Sequence, residues 1–496
     1  MSMTYKGLEL KTIEDHPKVK LIEGEGERIQ KAFNVYSGKV EQLTFKNSYG
    51  DEVKRNKYTI NMLKEVSSYL SKIIFNEGCK ISSSEKYSQF LEKILKESNF
   101  VSDLSNFLEP AVATGGLLAK PVVKQDGSIK IVWCLANTIY PTVVDNTHLK
   151  GVAIASKVVD SDGENFTYYT LLEFHEWSDE GYVIEHELYE SKRNDKTGKQ
   201  VPLETYYPEL SEKVVIKGLK TPLFNYFKPK GFNNISPHSP LGLGICDNAM
   251  DTIELINEVY DKFYLDVHTS GRKVIVPDDF IKTSIDFSDG SVKRYFDEDE
   301  SVFVGLPLGL ENSGIKDVSN ALRTGDYITA INKAISTLEM QTGLSGGTFT
   351  FDKNGIKTAT EVVSENSLTY QTRGEHLEEL ERFIKDVIIS TFNLASAVVR
   401  ADGSRAYTGE IPTYEDISID FQDGVFTDKK AQLEFIKECL VLNIIPKVEA
   451  ITRLFDITEE QAKAWLENIN TETMNSNIDY RLSKEEFSLF GSGEEG

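Results

Sequence analysis

Fifteen residues, GLSGGTFTFDKNGIK at Gly343–Lys357, set four glycines beside two lysines, two phenylalanines and several hydroxyls. Such a composition suits a phosphate cradle, where glycine lets backbone N–H groups converge on an anion and lysine meets its charge. The nucleotide-binding form of that cradle is G-x-x-x-x-G-K-[ST]. Here GIKT at Gly355–Thr358 carries an extra residue before the lysine and the wrong upstream spacing. The stretch therefore reads as a soft connection between two helices, and what needs softness there becomes the question.

Other candidates for chemistry are weaker. His175-Glu176 and His186-Glu187 look metallic, yet neither extends to H-E-x-x-H and both lie in alternating, strand-like sequence. The acidic runs FDEDE at 296–300 and DSDGEN at 160–165 miss the calcium-loop pattern and read as solvated surface. No G-x-S-x-G is present. Cys79, Cys134, Cys246 and Cys439 have no metal-ligand spacing and fit synthesis in a reducing cytosol. The expectation is a protein that is not an enzyme, with no catalytic residue, no metal and no cofactor.

Composition narrows the class further. Of 496 residues, 78 are acidic and 55 basic, a formal charge of −23 that opposes tight binding to a phosphate backbone. The first residues, MSMTYKGLELKTIEDHPK, have no apolar secretory core, and VIISTFNLASAVV at 387–399 is too short and polar to span a bilayer, so no membrane is expected.

The elements around the loop follow from periodicity. Helical spacing runs from Thr59 to Ala113 and stops at Gly115-Gly116, and alternation from Lys120 to Lys192 predicts an antiparallel meander. Ser239 as N-cap and Pro240 as first helical residue predict the start of a rod. Its Ala249, Ile253, Ile256, Tyr260, Phe263 and Val267 form a narrow a/d seam. A β-rich insert, Arg272 to about Leu310, precedes a second rod, Val318–Thr342, whose Ala321, Ile328, Ile331, Ile335 and Leu338 keep the same spacing apart from Thr324 at one expected position. Gly343 supplies its stop. Thr358 and Glu361 form a capping box for a long helix running towards Arg400 through Leu377, Leu380, Ile384, Phe392 and Ala395. A strand, DISIDF, and short helices from Lys429, Pro446 and Thr458 follow. The fold class expected is α+β, elongated and built in several parts.

Five stretches together resemble the portal proteins of tailed bacteriophages, especially those of siphophages infecting Gram-positive bacteria. They are IFNEGCKI at 74–81, LLEFHEW at 171–177, SPLGLGICDNAMDTIELIN at 239–257, FDEDE at 296–300, and GLSGGTFTFDKNGIKTATEVVSENSLTYQTR at 343–373, the last being the most specific. The resemblance covers most of the chain. It implies a homo-oligomeric ring, typically of twelve copies, at one capsid vertex of the virion, made in the host bacterial cytoplasm. Double-stranded DNA in transit, the terminase large subunit, a head-tail adaptor, and the major capsid and scaffolding proteins are the implied partners. The alternative is another phage head or adaptor protein without a DNA channel.

The resemblance also implies a division of the chain. Residues 1–230 would be the wing, 231–268 the first stem helix, 269–317 the clip and 318–342 the second stem helix. Residues 343–357 would be the tunnel loop, 358–426 the long spine helix with a returning wing strand, 427–475 the crown, and 476–496 an acidic, disordered tail. In the tunnel loop Gly343, Gly346, Gly347 and Gly355 would be hinges beside Thr348, Lys353 and Lys357 would touch phosphates, and Phe349 and Phe351 would pack between neighbouring loops. A ring that passes DNA needs rigid staves and a compliant constriction, which is where glycine lowers the cost of backbone change.

Overall fold

The computed structural model describes residues 7–46, 52–75, 79–124, 127–163, 165–269, 322–349, 367–399, 403–421, 429–442, 444–455, 461–469 and 471, with five short strands between 274 and 317. Helices and strands are mixed throughout, and the fold is α+β. The chain divides into a large unit, residues 1–354 with 366–422, and a small one, residues 355–365 with 423–496.

The large unit starts with β1 (Glu9–Leu10), α1 (Glu25–Tyr36) and a hairpin of β2 (Gln42–Lys46) and β3 (Glu52–Asn56). Three helices follow: α2 (Met62–Ile74), α3 (Glu85–Glu97) and α4 (Phe100–Thr114), with β4 (Lys80–Ser83) between the first two. The helical spacing from Thr59 anticipates these helices but not β4. Asn61 caps α2 by accepting the Lys64 N–H at 3.3 Å, and Leu63, Val66, Leu70 and Ile74 form its buried stripe. Gly115, at φ +90°, ends α4 as expected.

The predicted single meander divides in two. β7 (Ile139–Asp145), β8 (His148–Asp162), β9 (Asn165–Ser178), β10 (Gly181–Ser191) and β11 (Gly198–Val201) do run antiparallel in chain order, with β1 at the edge beyond β11 and β12 (Lys213–Ile216) on β10. β5 (Leu117–Val123) and β6 (Ile129–Leu135) leave that sheet and join β13 (Asn225–Phe227). Both faces of β5 are covered: Leu117 and Ala119 lie in one core cluster and Leu118 in another.

After α5 (Met250–Thr269) come β14 (Val274–Pro277), β15 (Thr283–Ile285), β16 (Val292–Arg294), β17 (Phe303–Leu306) and β18 (Lys316–Asp317). β14 pairs parallel with β17 and antiparallel with β18, and β15 pairs with β16, so the expected β-rich insert is present. The acidic run 296–300 lies outside the described residues.

α6 (Thr324–Gln341) leads to α7 (Ser367–Ala397). The 31 residues of α7 extend about 46 Å at 1.5 Å each. Residues 358–366, with the Thr358 capping box, lie outside the described residues. Leu380, Ile384, Val387 and Phe392 face α2, α3, α4 and β5, and from Val387 to Ala395 the helix is buried all round. A helix enclosed on every side belongs to a core. Its polar residues there are paired: Ser390 Oγ receives Asn225 Nδ2 at 2.8 Å, and Asn393 Nδ2 reaches Thr221 Oγ1 at 3.0 Å. β19 (Ile417–Asp420) then returns to pair antiparallel with β4.

His376, on α7, accepts the Lys230 backbone N–H at Nδ1, 3.1 Å away, and burial pushes its pKa down to about 4. The nearby Glu379 opposes the shift and Lys230 reinforces it. A histidine lowered from about 6.5 contributes stability that is complete above pH 6.5 and is lost as pH falls through 4, amounting to about 3 kcal/mol. His376→Gln is expected to flatten that acid limb when unfolding is followed from pH 7 to 4; an unchanged slope would count against the assignment.

The small unit contains α8 (Lys429–Val441), α9 (Lys447–Phe455) and a helical segment at 461–469. These agree with three expected short helices, although Thr458 and the tail 476–496 lie outside the described residues.

Candidate functional site

The predicted start of the first rod is corrected by the structure. Ser239 caps no helix: its hydroxyl donates to Glu25 Oε2 at 2.7 Å and accepts the Leu241 N–H at 3.2 Å. A 3-10 turn at Asp247–Ala249 comes first, and α5 begins at Met250. The segment before it is pressed onto the end of α4. A Cβ on Gly244 would stand 2.2 Å from the Ala113 carbonyl oxygen, and one on Gly242 would stand 2.5 Å from that of Gly115. The Ile245 N–H bonds the Val112 carbonyl at 2.9 Å. Two glycines in SPLGLGIC are thus required by backbone contact.

A buried ionic node fixes the same point. Arg28 on α1 donates through Nε to Glu25 Oε1 at 2.9 Å, through Nη2 to Glu25 Oε2 at 3.1 Å and to the Gly242 carbonyl at 2.9 Å, and through Nη1 to Asp247. Asn233 Nδ2 adds a bond to Glu25 at 3.1 Å. Burial alone would raise the Glu25 carboxyl, but hydrogen bonds from Arg28 and Ser239 and the Arg28 charge hold it low. Burial dominates at Asp247, which is raised.

From there α5 and α6 pack antiparallel, as Thr252 Oγ1 to Gln341 Oε1 at 2.8 Å and Phe263 to Tyr327 at 5.5 Å show. Ala249, Ile253 and Ile256 meet Ile331, Ile335 and Leu338 in one buried cluster, to which α2 adds Met62, Leu63 and Val66. Tyr260 packs at its margin. The seam opens beyond it: Phe263 is half-buried, Ile328 is 39% exposed and Val267 46%. Ala321 lies outside the described residues. Arg55 of β3 braces α5 by a two-pronged bond to Asp261, at 2.7 and 2.6 Å.

The connection after α6 begins as a rigid structure. Gly343, at φ +70°, follows the helix end, with Leu344 N–H on the Glu339 carbonyl at 2.8 Å and Gly343 N–H on that of Met340 at 3.4 Å, a Schellman closure. The Glu339 side chain, fully buried, turns into the loop: Oε2 accepts the Gly347 N–H at 2.9 Å and Oε1 the Phe349 N–H at 2.7 Å. Ser345 and Thr369 exchange backbone N–H to side-chain oxygen bonds at 2.8 and 3.2 Å, tying the loop to the first turn of α7. Thr372 Oγ1 donates to the Gly343 carbonyl at 2.6 Å, and Thr348 Oγ1 to that of Ser345 at 2.6 Å.

At the loop root Gly343 and Gly347, at φ +70° and +87°, sit in hydrogen-bonded turns, and a Cβ on Gly346 would meet nothing within 4 Å. Phe349 is half-buried at this root. It packs edge-on against Tyr69 of the same chain at 5.6 Å. Phe351, Lys353, Gly355 and Lys357 lie outside the described residues. Glu339, Ser345, Thr369 and Thr372 were missed by sequence reasoning, and no signal marks Glu339, because its partners are backbone N–H groups.

Charge-assisted bonds of this kind contribute about 1.5–3 kcal/mol. Glu339→Gln, which replaces one acceptor oxygen by a donor, is expected to lose about that much. Hydrogen exchange should then accelerate at Gly347 and Phe349 while the Ile331–Leu338 amides stay protected. Equal exchange in both proteins would show that the carboxylate does not hold the loop.

The histidines of the two histidine-glutamate pairs, His175 and His186, converge on a third residue, Glu173, in the seven-stranded sheet. Glu173 of β9 receives His175 Nε2 at 2.5 Å and Lys120 Nζ at 2.6 Å, with His186 Nε2 3.8 Å away across the strand pair. Among the described residues no group of three His, Cys, Asp or Glu could hold a metal ion. No described helix is long and apolar enough to cross a membrane.

An antiparallel helix pair thus brackets a β-rich insert and is followed by an anchored loop root and a long core helix. Residues 16–474 match the family of phage portal proteins that are SPP1 Gp6-like, and the chain belongs to that family. Among curated proteins nothing matches it. Membership makes it a phage portal protein, a structural capsid component from a family that assembles as a ring.

Proposed function

We propose that about twelve copies form the ring at one capsid vertex through which double-stranded DNA is packaged and ejected. In this reading α5 and α6 are the stem, the insert 269–317 is the clip that docks the terminase large subunit and the head-tail adaptor, and Gly343–Lys357 is the tunnel loop. The parts before residue 230 are the wing and those after 427 the crown. The observation that carries it is the loop root, clamped by Glu339 on one side and Thr369 on the other, where a stave-like helix pair meets a long core helix. A constriction that DNA pushes against needs such an anchor. The charge of −23 fits a conduit to which duplex does not adhere; steeply salt-dependent duplex binding would contradict that part.

Native mass spectrometry followed by negative-stain imaging tests the whole. A ring of about a dozen chains around a hole is the expected result, with or without co-expressed capsid and scaffolding proteins. A solid assembly without a bore would support the head-protein alternative instead.

Ile328 gives a finer test. It holds a seam position, yet in the single chain it is 39% exposed. A ring neighbour would cover it. Ile328→Glu is expected to change monomer stability by no more than about 0.5 kcal/mol while weakening each subunit contact roughly tenfold, about 1.4 kcal/mol, so that rings are largely lost. Rings at undiminished yield would place Ile328 away from the subunit contact.

A further inference from the structure

The β2–β3 hairpin is a sheet of two strands, and among the described residues neither strand pairs with a third. Such a hairpin is marginal by itself and needs its hydrophobic face packed against something. Phe45 and Val53 stand opposite each other in the register and form that face, with Leu43 two residues along. Yet Phe45 and Val53 are 44% and 36% exposed, and Tyr58, just past β3, is 40% exposed.

One flank of α5 holds the hairpin. Asp261 accepts both prongs of Arg55, at 2.7 and 2.6 Å, and the Tyr58 N–H at 2.9 Å. Asn257 Oδ1 accepts the Ile60 N–H at 3.1 Å, and the Tyr58 ring stacks on Tyr264 at 3.5 Å. Asn257, Asp261 and Tyr264, spaced by four and three, share one helix face. α6 is held by another, through Thr252 and Phe263. At 3.6 residues per turn the two faces are roughly 140° apart. Hairpin, α5 and α6 therefore make a strip with two unlike edges, the hairpin at one and α6 at the other.

The α6 edge is open as well. Tyr327 faces α5, whereas Gly325, Ile328 and Thr329 are exposed, and a Cβ on Gly325 would meet nothing within 4 Å. The two edges also match in height. Tyr58 lies at Asp261 and Tyr264, and Tyr327 lies beside Phe263, so Tyr58 and Ile328 stand within about one helical turn of each other along α5.

A contact repeated around a closed ring is head-to-tail, and each copy must offer one patch and receive its neighbour on a different one. Rotation about the ring axis preserves height, so stem helices running along that axis meet their neighbours at equal heights. We propose that in the assembled ring the hairpin edge of one copy, through Tyr58, Phe45 and Val53, seats on the α6 edge of the next copy, over Ile328. The proposal rests on the ring reading above and adds to it the surface that covers Ile328.

Photocrosslinking in the full chain tests it. Phe45→benzoylphenylalanine puts a photoreactive ring at an exposed aromatic position, which the fold tolerates. Irradiated rings are expected to give covalently joined chains, up to a full ladder, with the probe attached to residues 322–336 of the neighbouring chain. Intact rings that yield no joined chains overturn the proposal. So do products confined to a single chain, and so does attachment of the probe to the hairpin of another copy, which would indicate a two-fold contact. If the probe blocks assembly, unsubstituted rings decide: hydrogen exchange across 42–56 should be slower in rings than in chains diluted below assembly, and equal exchange overturns the contact. If the unsubstituted chain forms no ring even with its capsid partners, the ring reading fails and this contact with it.

Discussion

Arg28→Ala is expected to destabilise the large unit by about 3–5 kcal/mol, the usual result of removing one partner from a buried ion pair. Arg28 is the common donor to Glu25, Asp247 and the Gly242 carbonyl. Glu25 is fully buried, and Asp247 Oδ1 already has no partner. Without the guanidinium, two carboxylates would face each other in a site that water does not reach, and one would have to take up a proton. The damage should centre on the start of α5. Denaturant unfolding measures the loss, and hydrogen exchange across 247–269 locates it. Arg28→Lys keeps the charge but not the planar fork, so an intermediate loss is expected. A loss below about 1 kcal/mol for the alanine variant would mean that the node is solvated and not structural.

Glu173→Ala is expected to have an effect of the same size, about 3–5 kcal/mol, on the seven-stranded sheet. The Lys120 ammonium is almost wholly buried and has Glu173 at 2.6 Å. Burial by itself would raise the Glu173 carboxyl, but the hydrogen bond from His175, the nearby His186 and the Lys120 charge hold it well below the usual carboxylate range. Its folded pKa is depressed. The stability it supplies is therefore present above the ordinary carboxylate pKa, about 4.3, and disappears as pH falls below that value. Wild type and variant should consequently differ most near neutral pH and converge in acid. A gap that stays constant down to pH 3 would assign the loss to packing instead of charge. Lys120→Met in the Glu173→Ala background should recover part of the loss, because it removes the stranded cation.

Much of the arrangement was readable in the residues themselves. The a/d spacing of Ala249, Ile253 and Ile256 against Ile331, Ile335 and Leu338 predicted the helix pair, which the structure buries as one cluster. The alternation from Lys120 to Lys192 predicted an antiparallel meander, which the structure builds from Ile139 onward, and Gly343 predicted the end of the second rod. These are local properties. Periods of 3.6 and 2 place apolar groups on one face whatever the rest of the chain does, and a glycine at positive φ ends a helix for reasons within one turn.

The tertiary structure decided what depends on neighbours distant in sequence. Ser239 followed by proline looked like a helix start, but Glu25 captures its hydroxyl and the contact of Gly242 and Gly244 with the end of α4 postpones the helix to Met250. β5 and β6 alternate like meander strands, yet α4 and α7 pack on them and β5 pairs on its other edge with β13. Glu339 resembles any surface glutamate of a helix until its carboxylate is seen holding two backbone N–H groups of the loop. A polar side chain has the same identity whether water or a distant backbone group satisfies it. Periodicity tells which face is apolar, and only the assembled chain decides which polar groups lose their water and what replaces it.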